Sequence, residues 1–369
     1  MERLVRLRLI NQKLLRSDLR DPADIVAWLG AVQSQDFPAA KWALRLRSGQ
    51  TLRIRSGLTN DAIDRAFNAG TILRTHVLRP TWHFVTPADI GWMLALTAAR
   101  VQQSLAHACR QFELDARTLS RARTILGRVL SDGAHLTRAE LAAALRRGGI
   151  IASGPRLGVL TVDVEINQVM CSGPLRGRQH TYARFDSRVP GARSWTREES
   201  LAELTTRYFA SHGPATLRDF AWWSGLTMRD VKEGIALAKP ALTSERANDL
   251  EYWVGSAPAT SRLNPLSRRV QGSDPKPRVH LLPNFDEYLI AYKDRDIVGA
   301  AQLSAWDAYT HQVVIDGQFL GTWKPTATKE GVRLEMKLRR TLSPPQKREL
   351  QRAVVAYGEF VGKVISTNL

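Results

Sequence analysis

Two threonine-led segments, Thr216-Leu-Arg-Asp219 and Thr227-Met-Arg-Asp230, lie close together with Gly225 between them. In each, the threonine hydroxyl can accept a free amide of the first helical turn, while the acid three residues on accepts the threonine's own N–H. The pair therefore predicts two short helices joined through a glycine corner, the arrangement a helix-turn-helix requires. Residues 198–211 carry a helical apolar period ahead of them, and residues 242–254 read as a hairpin behind them. A helix, a tight helix pair and a β wing describe a winged helix.

The same order recurs upstream. Thr137-Arg-Ala-Glu140 is a capping box between helical patterns at 119–130 and 160–170, and residues 170–185 then read as strand, turn, strand. Nearer the start, residues 4–15 form an apolar stripe and Asp21-Pro22 opens a second helix. Residues 60–68 form a third, stopped by Gly70. The β-branched and aromatic run 71–85 follows, turning at Arg79-Pro80. Past a polar stretch at 256–278 the period changes to two, with strands at 279–282, 312–323 and 332–338, a turn at Asp316-Gly317, and a closing helix at 343–362. The expected fold is α+β: three tandem winged-helix modules followed by a β-rich, barrel-like C-terminal domain. The boundaries fall at 1–98, 99–192, 193–256 and 257–369.

Charge narrows the partner. Lys plus Arg number 53 against 35 Asp plus Glu, a formal charge of +18, in a chain whose 44% hydrophobic content is ample for packed cores. Such an excess favours a polyanion, nucleic acid or an anionic membrane. It is carried mostly by arginine, whose guanidinium grips phosphate bidentately. The first hairpin places Arg74, His76, Arg79, Trp82 and His83 as candidates for DNA contact or cleft lining, and the second adds Arg176, Arg178 and Arg184. The charged N-terminus lacks the apolar core of a signal peptide, and no apolar run is long enough to span a membrane. Two cysteines, Cys109 and Cys171, do not make a disulfide framework or a zinc finger, and a reducing cytoplasm is the simplest setting.

No phosphate-binding loop, dinucleotide-binding glycine motif, zinc-protease His pair or serine elbow is present. Asp286-Glu287 with Lys293 resembles a nuclease acid pair but lacks a distant partner. More telling is Trp28-Leu-Gly-Ala-Val-Gln33-Ser34-Gln35-Asp36-Phe37-Pro38, followed by Lys41-Trp42. Two glutamines one residue apart share a side only on an extended segment; on a helix they diverge by about 200°. A shared role therefore requires the helix begun near Pro22 to end or distort by about Val32, and Pro38 is consistent with a break. Otherwise Gln33 is a solvent-facing helix residue and Gln35 part of a cap.

The segment resembles the signature of the AlkZ/YcaQ family of winged-helix DNA glycosylases, in its Gln-x-Gln (AlkZ-like) form. The similarity extends to Leu78-Arg-Pro-Thr-Trp-His-Phe-Val85, to residues 282–295 and to Ile315-Asp-Gly-Gln-Phe-Leu-Gly-Thr-Trp323. Ser34 departs from the apolar residue usual between the glutamines. The resemblance implies a monofunctional glycosylase acting in DNA repair on N7-alkylated purines, including bulky adducts and interstrand crosslinks made by genotoxic natural products. It also implies Gln33 and Gln35 as the catalytic pair. No metal or organic cofactor is expected. The expected partner is double-stranded DNA carrying alkylated purines, with no membrane association, and the protein is expected to be a cytoplasmic monomer. The competing reading is a non-enzymatic winged-helix DNA-binding protein such as a transcriptional regulator.

Overall fold

The computed structural model describes residues 2–49, 57–191, 193–256, 277–300 and 310–368. After helix α1 (Glu2–Asn11), a first unit comprises α2 (Pro22–Leu29), β1 (Val32–Gln33), α3 (Phe37–Leu46), α4 (Asn60–Ala69), β2 (Leu73–Val77) and β3 (Thr81–Val85). Helix α5 (Pro87–Gln111) leads away from it and crosses position 98. A second unit repeats the order with α6 (Ala116–Val129), β4 (Leu136–Thr137), α7 (Arg138–Arg147), α8 (Gly154–Ile166), β5 (Met170–Ser172) and β6 (Thr181–Arg184). The short α9 (Phe185–Arg188) precedes a third: α10 (Arg197–Ser211), α11 (Leu217–Ser224), α12 (Met228–Ala238), β7 (Leu242–Ala247) and β8 (Leu250–Gly255).

The sheets run β1-β3-β2 and β4-β6-β5, so the strand between the first two helices pairs with the last strand of the hairpin. In the third unit an Ala215–Trp253 bridge does the same. The capping boxes at Thr137, Thr216 and Thr227 form as read, each closing its reciprocal pair of bonds. Gly225 ends α11 at φ +72°, and a Cβ there would stand 2.7 Å from the carbonyl oxygen of Leu78. The corner glycine thus lets the third unit approach the turn of the first hairpin.

The first unit departs from the sequence reading. Its helices are α2, α3 and α4, whereas the 4–15 stripe lies outside it. That stripe, α1, buries Leu4, Val5 and Leu9 against Tyr252, Leu282, Tyr288 and Phe319. Pro38 does not break the chain but helps begin α3: Asp36 caps that helix by accepting the Ala39 N–H at 3.1 Å, and Pro38 occupies the first turn, where its missing N–H costs nothing.

The C-terminal part contains β9 (Val279–Leu282), the one-turn α13 (Glu287–Ile290), β10 (His311–Ile315), β11 (Gln318–Ala327), β12 (Val332–Leu338), α14 (Pro344–Val361) and β13 (Ile365–Thr367). Its sheet runs β13-β12-β11-β10-β9, antiparallel except for the β12–β13 pair. Among the described residues β9 and β13 do not pair, so the sheet is open rather than a closed barrel. Asp316 and Gly317 turn the β10–β11 hairpin with positive φ at both, as the Asp-Gly pair predicts. Most of the polar 256–278 stretch lies outside the described residues.

Two cores meet at the first unit. Ile25, Leu29, Phe67 and Phe84 pack with Leu281, Trp323 and α14, while Leu73, Val77 and Val85 pack with α5, α10 and α11. The second unit closes a core largely of its own. The β1-β3-β2 sheet is therefore held from both sides by chain segments remote in sequence.

Candidate active site

Gly30, at φ +81°, caps α2 and turns the chain into β1. The helix thus ends before Val32, as a shared role for the glutamines demands. Gln33 pairs in register with His83, and Ser34 donates its N–H to the Trp82 carbonyl at 2.7 Å. The strand stops at Gln33 and the chain bends at Gln35-Asp36 into α3, so the two amides are not presented by one continuous strand. Gln33 is buried, and its carbonyl Oε1 accepts from Arg79 Nη2 at 3.2 Å. Gln35 is exposed, and its Oε1 accepts the Trp82 N–H at 3.3 Å. Each amide oxygen has one donor and keeps a second lone pair. Ser34 is fully buried and its Oγ has no hydrogen-bond partner, so it occupies a place that an apolar side chain would fill.

Gln35 lines a cleft of about 520 Å³ together with Asp36, Phe37, Arg74, Trp82, Arg138, His180 and Tyr182. Gln33 is not among the lining residues. Arg74 lies over the Trp82 ring at 4.1 Å, and its Nε and Nη2 donate to the Ser34 carbonyl at 3.1 and 2.9 Å. Burial lowers this guanidinium to about 10, so it still carries its charge at neutral pH. Asp36, Phe37, Pro38 and His180 also line an adjoining cavity of about 1280 Å³ bordered by Trp42, Trp323, Lys41 and Arg178. A flat aromatic body and an anionic backbone would both find matching groups along this continuous wall.

The remaining sequence candidates separate into surface and interior. Arg176, Arg178 and Arg184 are exposed; Arg176 pairs with Glu140 at 2.8 Å and Arg184 with Asp186 at 2.9 Å. Arg79 is half-buried, with its guanidinium 5.5 Å from the Trp222 ring. His76 and His83 are buried instead of presented on the surface. His76 Nδ1 lies 2.5 Å from Glu165 Oε2, and its ring rests on Trp82. His83 is 0% exposed; its Nδ1 meets the Thr81 carbonyl at 2.9 Å, and its Nε2 is without a partner.

Burial pushes the His83 imidazole down to about 4, so it is neutral when the protein is folded at physiological pH. Between pH 6.5 and 4 the unfolded chain binds a proton here that the folded chain refuses, so stability falls as pH falls through that window. The loss from this group alone is up to about 3 kcal/mol. Urea unfolding at pH 7 and pH 4.5 checks it: His83→Gln should lose less stability between the two pH values than the wild type, and an equal loss would refute the assignment.

Sequence reasoning missed what braces this sheet. β1 and β2 are its edges, and each sends a backbone N–H outward to a buried carboxylate from another part of the chain. Gln33 donates to Glu287 Oε1 at 2.8 Å, and His76 donates to Glu165 Oε2 at 2.9 Å. The Arg74 N–H goes to Ser172 Oγ at 2.8 Å, joining the first and second sheets. Asp286 and Glu287, the supposed nuclease pair, are both fully engaged: Asp286 takes Arg47 bidentately at 2.8 Å through each oxygen, with neither side chain exposed. Among the described residues no group of three His, Cys, Asp or Glu side chains is placed to hold a metal ion. Nor is any described helix long and apolar enough to cross a membrane.

The fold and the family match define a DNA glycosylase, a class of enzyme that hydrolyses N-glycosidic bonds. The family described as "DNA glycosylase AlkZ-like" matches residues 26–360, and the chain belongs to it. An "Interstrand DNA cross-link repair glycosylase" from Streptomyces sahachiroi is 23% identical over 322 residues, covering 82% of this chain and 81% of that protein. The solved structure of "Streptomyces sahachiroi DNA glycosylase AlkZ" superposes with a TM-score of 0.79 at 20% identity, covering 99% of this chain and 98% of that one.

Proposed function

We propose that this enzyme releases N7-alkylated purines from duplex DNA, with Gln33 and Gln35 placing the attacking water. The observation that carries this reading is the break at Gly30, which lets the Gln35 amide line a cleft walled by Arg74, Trp82 and Arg138, with the Gln33 amide buried directly behind it on β1. An N7-alkylpurine is already cationic, so the C1′–N9 bond can break with its electron pair passing to the base. Water then adds to C1′, oriented by hydrogen bonds that the amide oxygens accept, and its proton is lost to bulk solvent as the 1′-hydroxyl forms. Such a reaction needs water and an oxocarbenium-like sugar held in register more than it needs a strong acid. Cleavage is direct hydrolysis, without a lysine Schiff base.

Bulky adducts and crosslinks are within the proposed substrate range. The roomy cavity beyond Phe37 and the crosslink-repair function named for the Streptomyces relative both support that extension. We read the three helix–strand–helix–helix–hairpin units as winged helices scaffolded on α1 and the C-terminal sheet. Duplex DNA then meets the exposed Arg176, Arg178 and Arg184 as well as the cleft. The regulator alternative is disfavoured by α8, the second unit's counterpart of a recognition helix. It is almost wholly buried from Leu157 to Ile166, and Glu165 there serves the interior.

Duplex carrying a single N7-methylguanine, and a second duplex carrying a bulky N7 adduct, provide the test. Free modified base and an abasic site are expected from at least one, with no covalent protein–DNA species trapped by borohydride. Release from neither would refute the assignment, and trapping would refute the direct-hydrolysis mechanism.

A further inference from the structure

We infer that Glu287 is a positioning residue for the glycosylase reaction: by gripping the backbone N–H of Gln33 it fixes where that amide stands, and the bond-breaking step depends on it. The inference rests on the functional reading above. β1 is two residues long and lies at a sheet edge, so few ladder bonds hold it. The neighbouring Ser34 N–H turns inward to β3, whereas that of Gln33 points outward into the protein interior. Without an acceptor there it would be an orphaned buried donor, which native interiors avoid.

The acceptor is supplied from 254 residues away. Glu287 is wholly buried, and its other oxygen accepts Trp223 Nε1 from α11 at 2.9 Å, with His212 Nε2 at 3.6 Å. Its own backbone is pinned as well, since Gln12 Nε2 donates to the Glu287 carbonyl at 3.2 Å. Gln33 is thereby referenced to the third unit and the C-terminal part, and not to its own short strand. Burial raises the carboxyl, but His212, His83 and the Gln33 N–H together hold it below the usual carboxylate range, and an ionised acceptor makes the stronger bond. A glutamine at 287 offers only one oxygen and cannot accept from both N–H groups with the present geometry.

Single-turnover base release, with enzyme in excess over the adduct duplex that the wild type cleaves, separates chemistry from binding. Glu287→Gln should lower the rate constant about tenfold or more and leave the half-saturating enzyme concentration within about twofold. Because the effect passes through Gln33, the Gln33→Ala, Glu287→Gln double variant should be no slower than Gln33→Ala alone. An unchanged rate constant in Glu287→Gln, or the same proportional slowing whether or not Gln33 is present, would overturn the inference. Should that variant not fold, Trp223→Phe removes one of the two N–H donors while keeping an aromatic ring. The same cycle with Gln33→Ala then decides: slowing confined to the Gln33-containing background supports the role, and slowing in both or neither refutes it. Failure of the wild type to release any base would instead bring down the functional reading itself, and this inference with it.

Discussion

Replacing Gln33 and Gln35 together with alanine is expected to lower base release at least about a hundredfold, the scale on which an oriented water and the hydrogen bonds that hold it contribute. DNA affinity should change little, since neither amide is charged and the cations of the cleft and hairpins remain. The single variants should differ. Gln35 is exposed at the cleft, and its side chain accepts the Trp82 N–H, so its loss removes a contact that substrate or water can reach, at almost no cost to folding. Gln33 is buried with Arg79 on its side-chain carbonyl, so its truncation loses a hydrogen bond inside the protein, and some loss of stability should accompany the loss of rate. Equilibrium binding to an adduct duplex, measured beside single-turnover release, makes the distinction. A double variant that cleaves at the wild-type rate would remove these glutamines from the mechanism.

Asp286→Ala is expected to destabilise the fold by about 3–5 kcal/mol, because it strands a guanidinium that has no access to solvent. Arg47 donates to both Asp286 oxygens, to the Gln12 side chain and to the Ala43 carbonyl, and it is 0% exposed. Asp286 also caps α13 by accepting the Tyr288 N–H at 2.9 Å, so its removal loosens the turn that carries Glu287. Removing both charges, as in Arg47→Met with Asp286→Leu, should cost much less than the single change, since no unpaired ion is left inside. Urea unfolding of the three proteins reads this directly. A loss below about 1 kcal/mol for Asp286→Ala would show that water or another group reaches Arg47.

The parts of the fold that could be read from sequence are those governed by neighbours in the chain. Thr137, Thr216 and Thr227 announce their helices because both partners of each capping box lie within four residues. Asp21-Pro22 and Asp316-Gly317 act over similarly short spans. Helix α3 escaped because Pro38 can stop a helix or start one, and only the Asp36 cap and the pull of Phe37 and Trp42 into the core decide between them. The need for α2 to end before Val32 was legible. The bend at Gln35 was not, since it is imposed by Asp36, which serves α3 through one oxygen and Asn284 at 3.1 Å through the other. His76 and His83 look like surface groups on a basic hairpin. Their burial follows from Glu165, α5 and the third unit, all folded against the sheet from afar. Asp286-Glu287 looked like stray acidity for the same reason: nothing local reveals Arg47, Gln33 or Trp223 as its partners.

The outward bonds at the two edges of the β1-β3-β2 sheet have a consequence for how the protein is made. The acceptor for His76 is emitted by the ribosome 89 residues after it, and that for Gln33 comes 254 residues after it. A nascent chain that has finished its first hairpin, or even all three helix–hairpin units, still lacks the carboxylate that seats Gln33. The seat of Gln33 is therefore completed only once residue 287 has been made, and a product ending before Glu287 can carry basic surface without the carboxylate that holds this strand.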